Sequence, residues 1–511
     1  MRRILFGCSA LLAAGLNAQE LGNITFPNSG AAVAQSKFIE GVKDLHSFEF
    51  DEAAAAFREV QGLDPGFGLA YWGEAMSYNH PLWAQQDLAA ARKTLERLAP
   101  TLEGRLAKAP TEKEKGFVEA VNQLFYAPGD KLARDNAYSE SMARLYERWP
   151  DDHEVAIFYA LSLLGTVRPG DKGYRRQALA ASIAIQVFQD NPNHPGAAHF
   201  IIHSFDDPDH AILALPAARV YAKIAPAAPH ALHMPSHIFV QLGMWQDVVA
   251  SNVVAYKAAT DLIARMHLPE GREDFHTLSW LEYANLMLGK FDDARRNVDL
   301  AKQAADRNPQ NGNIVQQHHT MLARYILETG KWEKIPLEKG TKATAGHDSM
   351  PGMPGMGGPY SGQASWIFIA GLSAAKLGDS DAAEQARAAL GAIRQQVESS
   401  GDSYGAKAFA IMENEVASAA QLARGQNTEA VRFAKQAADI ESSMSAPSGP
   451  PEPIKPALEF YGEVLLEAGR PAEAAVAFQQ QLLRTPKRTP SVLGLARAHA
   501  KPSGSATGAS D

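Results

Sequence analysis

The chain has 511 residues, with 49 Lys and Arg against 57 Asp and Glu, a formal charge of −8, sixteen histidines and one cysteine. That acidic balance argues against the clustered basic footprint of a nucleic-acid binder, and past the N-terminus no stretch approaches the roughly 18 apolar residues that cross a bilayer. The length calls for several compact cores or for an elongated repeat.

Residues 1–18, MRRILFGCSALLAAGLNA, read as a secretory signal peptide. Arg2 and Arg3 form a positive n-region, a short apolar run follows, and Ala18 precedes the expected cut. The expected location is therefore outside the cytoplasm, periplasmic or secreted. Cys8 lies within this segment, so the mature chain is expected to have no disulfide and no thiolate metal site. Any soft-metal chemistry then falls to histidine and methionine. Residues 19–33 read as an N-terminal linker.

From residue 34 a two-helix grammar begins. In FIEGVKDLHSFEFDEAAAAFREVQGLDP, Gly41 is followed by Ala53, Phe57 and Pro65. These are the offsets of a tetratricopeptide (TPR) unit, in which small residues let paired helices approach and proline closes the unit. The pattern returns in LEYANLMLGKFDDARRNVDLA (281–301), FIAGLSAAKLGDSDAAEQA (368–386) and FYGEVLLEAGRPAEAAVAFQQQLLRTP (460–486). It predicts an all-α solenoid, a right-handed superhelix of antiparallel helix pairs. One array spans 34–335 and a second 363–500. A Gly/Pro/Met-rich linker at 336–362 separates them, and 501–511 reads as a disordered tail.

Two segments of the first array, HFIIH (199–203) and HMPSH (233–237), carry histidine pairs of the same internal spacing, 34 residues apart. With units starting at Pro195 and Pro229, His199 and His203 fall at positions 5 and 9 of one unit, and His233 and His237 at the same positions of the next. His230 is at position 2 of that unit, and His276 at position 2 of the following one. In TPR arrays these positions line the concave groove. Three or four converging imidazoles suit zinc or copper, so His199, His203, His233 and His237 are expected to converge on one point, with His230 and His276 at the rim. The same residues can instead pack against neighbouring helices. HFIIH lacks the glutamate of the HExxH metalloprotease motif. Asp206, Asp207, Asp209 and His210 in SFDDPDH stand as further ligands, orienting partners, a general base or plain helix caps. Pro235 requires the helix to restart near Met234 or to kink there.

Weaker signals surround these. Trp72, with Tyr71 and Trp83, reads either as a groove anchor for a partner or as core, and His80 as a packing residue. His318 and His319 are adjacent, so one of them is expected to face inward. Met350, Met353 and Met356, after His347, offer thioethers to Cu(I) or simply belong to a flexible linker.

At AYWGEAMSYNHPLW and PHALHMPSHIFVQLGMW the chain resembles a group of exported bacterial TPR-domain proteins with Trp-rich and His-rich segments, over most of residues 35–335. The resemblance implies a superhelical scaffold for protein interaction. The carboxylate clamp of some TPR proteins uses Lys, Arg and Asn where this chain has His and apolar residues. No nucleophile elbow, phosphate loop or dinucleotide motif occurs. The sequence thus points to a non-catalytic scaffold that holds a protein or peptide in its groove, with or without a His-ligated zinc or copper. The alternative is a metal-dependent hydrolase or oxidase, or a copper-handling protein.

Overall fold

In the computed structural model, residues 20–337 and 361–500 are described, apart from 169, 172 and 269–271. Residues 1–18, expected to be a signal peptide, the methionines Met350, Met353 and Met356, and residues 501–511 lie outside them. From Gln35 to His499 the described chain is helix after helix, each packed on the next. The exception is one two-residue strand pair, Asn79–His80 against Gln85–Gln86. The protein is an α-solenoid of the TPR type.

Small residues at the expected places set the packing. A Cβ on Gly41 would lie 3.0 Å from the Phe57 ring, and one on Gly73 only 2.3 Å from it. Phe57 therefore seats against the backbones of both neighbouring helices and is fully buried, which contributes roughly 1.5–3 kcal/mol from its apolar surface. Phe478 repeats this arrangement against Gly462 and Gly494 in the second array. The turn glycines Gly289 and Gly469, at φ +69° and +74°, close their helices in the left-handed region that side chains disfavour.

Two non-helical segments pack onto the array. Residues 20–31 are not a free linker, because Leu21, Ile24 and Phe26 are buried and Asn23 bonds the Asn193 carbonyl at 2.9 Å. Residues 446–456, rich in proline, run from the second array onto the first. Gln241 donates to the Pro447 carbonyl at 2.9 Å, and Gly449 lies so close to Trp280 that a Cβ there would meet the indole at 2.4 Å.

The two arrays are also joined directly. The Gly312–Thr329 and Ser361–Lys376 helices pack on each other across the Gly/Pro/Met segment, and Ala323 and Ile326 share a core with Ala364 and Phe368. Further along, the Trp245 indole donates to the Lys487 carbonyl at 3.1 Å and Thr489 to the Met287 carbonyl at 2.6 Å. Arg488, fully buried, bonds the Glu459 carboxylate through two nitrogens at 2.8 and 2.9 Å. Among the described residues no helix is long and apolar enough to cross a membrane.

Candidate metal centre

Three consecutive inner helices carry the histidines. Pro195 and Pro229 start theirs at the first helical position, where a missing N–H costs nothing and φ is already set. His194 caps the first, its Nδ1 accepting from Ala197 N at 3.2 Å. Asp274 caps the third, Phe275–Met287, accepting from Thr277 N at 3.0 Å. The middle helix is interrupted where the sequence requires. Pro229–His233 ends, Met234 keeps right-handed dihedrals, and Pro235–Gln241 begins. Because Pro235 has no N–H, the turn tightens, and His237 N bonds the Met234 carbonyl at 3.1 Å.

The six groove histidines form two triads, His199 with His203 and His230, and His233 with His237 and His276. Within each triad the ligand nitrogens lie within 4.8 Å of one another. In the first, the Nε2 of His199 is 3.0 Å from that of His203 and 3.2 Å from that of His230. In the second, the Nε2 of His233 is 3.1 Å from that of His237 and 2.9 Å from that of His276. The triads are neighbours, with ring centroids 5.9 Å apart for His203 and His237 and 6.3 Å for His230 and His233.

This corrects two expectations. The four paired histidines do not close on one point; each pair gathers separately. His230 and His276 do not stand apart from the pairs: each completes a triad on its more exposed side. The physical reason is the stagger of adjacent helices, which sets position 2 of one unit beside position 5 of the unit before it.

The outer ring nitrogens fix the tautomers. His199 Nδ1 donates to the His46 carbonyl at 2.6 Å, His233 Nδ1 to Asn252 Oδ1 at 2.6 Å, and His237 Nδ1 to Asp206 Oδ2 at 2.7 Å. With the proton on Nδ1, each Nε2 lone pair is turned into its triad. Asn252 is itself held, its amide donating to the Val248 carbonyl at 2.9 Å. Burial, reinforced by the neighbouring imidazoles, lowers His199, His203, His230, His237 and His276 well below the ordinary histidine value. Burial lowers His233 as well. Neutral imidazole is the ligating form. Burial raises the Asp206 carboxyl well above the usual range, against a hydrogen bond from Gln241 at 3.2 Å.

A further buried group adjoins the first triad. Glu154 takes one hydrogen bond from His46 Nε2 at 2.7 Å and another from His194 Nε2 at 3.2 Å. Burial opposes its charge, but the two imidazoles outweigh it and hold Glu154 down to about 2. This pins His46, whose carbonyl in turn holds His199. Neither His46 nor Asn252 was singled out from sequence, since each lies on another helix, 153 and 19 residues from the histidine it orients.

The remaining candidates fall elsewhere. Trp72 is not a groove anchor: it is completely buried, edge-on to Phe26, Phe117 and Phe158 at 6.0, 5.1 and 5.0 Å. The N-terminal segment that brings Phe26 there covers it. Trp83 and His80 join a half-exposed aromatic group with Phe50, and Phe48 links this group to the first triad, 4.4 Å from His199. Asp207 accepts from His210 at 2.8 Å, and His210 stacks on Tyr174; neither belongs to a triad. His318 and His319 are both half-buried, with His319 stacked on Trp366 at 4.3 Å.

No family model matches the chain, and no curated protein matches it. Among solved structures it is similar to yeast Tom70, with 11% identity, coverage of 91% of this chain and 95% of that one, and a TM-score of 0.32. The TPR domain of P58(IPK) gives 10%, 91% and 97%, and 0.21. The human IFIT1 dimer with m7Gppp-AAAA gives 12%, 90% and 91%, and 0.31.

Proposed function

We propose that this helical-repeat protein is a metalloprotein whose groove holds two metal ions, one on His199, His203 and His230 and the other on His233, His237 and His276. One observation carries the reading. Six Nε2 atoms gather in two groups, with contacts of 2.9–3.2 Å, while three of the same rings spend their Nδ1 protons on outward acceptors. The Nε2 atoms of His233 and His237 face each other at 3.1 Å, and a cation between them would favour the ionised Asp206 that accepts the His237 Nδ1 proton. Three protein ligands leave a coordination position open, as catalytic rather than structural sites do. Neutral nitrogen donors suit zinc and copper. The signal-like first eighteen residues support a site of action outside the cytoplasm.

The repeat scaffold also offers surface to a protein partner. Residues 446–456 lie against Trp280 and Gln241, which leaves such a partner to the faces they do not cover. The metal reading is tested by dialysing the purified chain against chelator, reloading it with zinc or copper, and measuring metal by mass spectrometry. Two ions per chain are expected, falling to one in His203→Ala and to one in His276→Ala. A chain that takes up no metal, or variants that keep both ions, would sink it.

A further inference from the structure

We infer that the two triads hold a copper pair which, when reduced, binds dioxygen between its ions; this rests on the two-metal centre proposed above. The first argument is the donor set. Both triads are imidazole alone, so magnesium, calcium and manganese lack the oxygen ligands they require, and among the ions that favour imidazole copper binds most tightly.

The second argument is charge. His199, His233 and His237 are at most 1% exposed, and charge buried without compensation is costly. Two zinc ions would bring four positive charges onto six neutral ligands. Two Cu(I) ions bring two. When dioxygen takes one electron from each Cu(I), the metals become Cu(II), the O–O bond order falls from two to one, and the product is peroxide with charge −2. The centre then carries +2 before and after the reaction, and no proton moves. Peroxide leaves as hydrogen peroxide after taking two protons from water, and two one-electron transfers from an external donor of the ascorbate class return the metals to Cu(I).

The third argument is position. The facing rings of the two triads are 5.9 and 6.3 Å apart between centroids, so ions on the two triads are neighbours within reach of one diatomic ligand. His203, His230 and His276 are half-buried while the other three are buried, so the open coordination positions face the side these three line. Phe48, 5.5 Å from His230, and Trp280, 4.3 Å from His237, wall the centre with apolar rings. Such walls keep water from bound peroxide.

The test uses the full chain, loaded with copper under ascorbate without oxygen, freed of ascorbate by anaerobic gel filtration and then exposed to air-saturated buffer. Expected are uptake of one dioxygen per two copper ions, an absorption band absent from the reduced protein, and no electron paramagnetic resonance signal from the oxidised protein because the two Cu(II) spins couple. His203→Ala, with His276→Gln as a second variant on the other triad, should bind one copper and take up no dioxygen, and when loaded directly with Cu(II) should show an isolated Cu(II) signal. Two bound coppers giving two uncoupled spins, or taking up no dioxygen, would overturn the inference and leave the two-metal centre standing. So would a chain that keeps two zinc ions but no copper. No metal uptake of either kind would instead remove the underlying reading.

Discussion

Asp206→Asn separates a positioning role from a folding one. Asp206 touches the second triad only through His237, taking its Nδ1 proton at 2.7 Å. The amide can still accept that proton, so in the metal-bound state, where the cation on the triad keeps the buried Asp206 ionised, the substitution removes charge rather than the bond. A hydrogen bond to a charged group contributes about 1.5–3 kcal/mol and a neutral one about 0.5–1.5, a difference near 1–1.5 kcal/mol. At about 1.4 kcal/mol per factor of ten, metal binding on His233, His237 and His276 should weaken roughly five- to tenfold, and Asp206→Ala should reach the upper end of the 10–100-fold typical of lost orienting partners. The first triad should not respond, because His199 is oriented by the His46 backbone carbonyl. Calorimetric titration of the metal-free chain resolves the two affinities. The metal-free Asn variant should melt no lower than the wild type, since it removes a buried carboxyl. Equal weakening at both triads, or a lower melting temperature with no selective loss, would refute the reasoning.

Three further outcomes are expected. Gly73→Ala places a Cβ 2.3 Å from the Phe57 ring and should cost about 1–3 kcal/mol by overpacking; an unchanged denaturation midpoint would contradict the helix spacing described. Gly449→Ala drives a methyl to 2.4 Å from Trp280 and should loosen residues 446–456, read as faster proteolytic cleavage there, whereas an unchanged cleavage rate would mean the segment does not rest on that indole. Glu415 is buried with both carboxylate oxygens unpartnered, and burial followed by the charge of Glu441 raises it well above its usual value. The folded chain then holds a proton that the unfolded chain releases above about pH 4.5, so stability falls as pH rises from there towards the folded value. Glu415→Gln should flatten that decline, and parallel stability curves for the two proteins would show that the group does not titrate this way.

What the sequence disclosed was local. Gly41 and Phe57 marked a helix pair because their spacing is set within one unit, and Pro195, Pro229 and Pro235 marked helix starts because proline acts on its own backbone. Trp72 was ambiguous for the opposite reason. It holds position 5, as His199 and His233 do, and Phe26, arriving from a non-helical segment, joins Phe117 and Phe158 in turning that groove position into core. The third histidine of each triad shows the limit most clearly. His230 follows His199 by 31 residues, while His276 follows His233 by 43, so no fixed period links the two. Most of the difference comes from the second helix of the unit between them, Trp245–Met266, which runs to 22 residues against 14 for Ala211–Ile224, and the rest from the connection that follows it. Position within the unit restores the equivalence: both are position 2, stacked on position 5 of the preceding unit. A TPR array with histidine at 5 and 9 of one unit and at 2 of the next therefore carries a three-imidazole site whatever the intervening helix length. Two such groups in succession gather six imidazoles from three neighbouring helices.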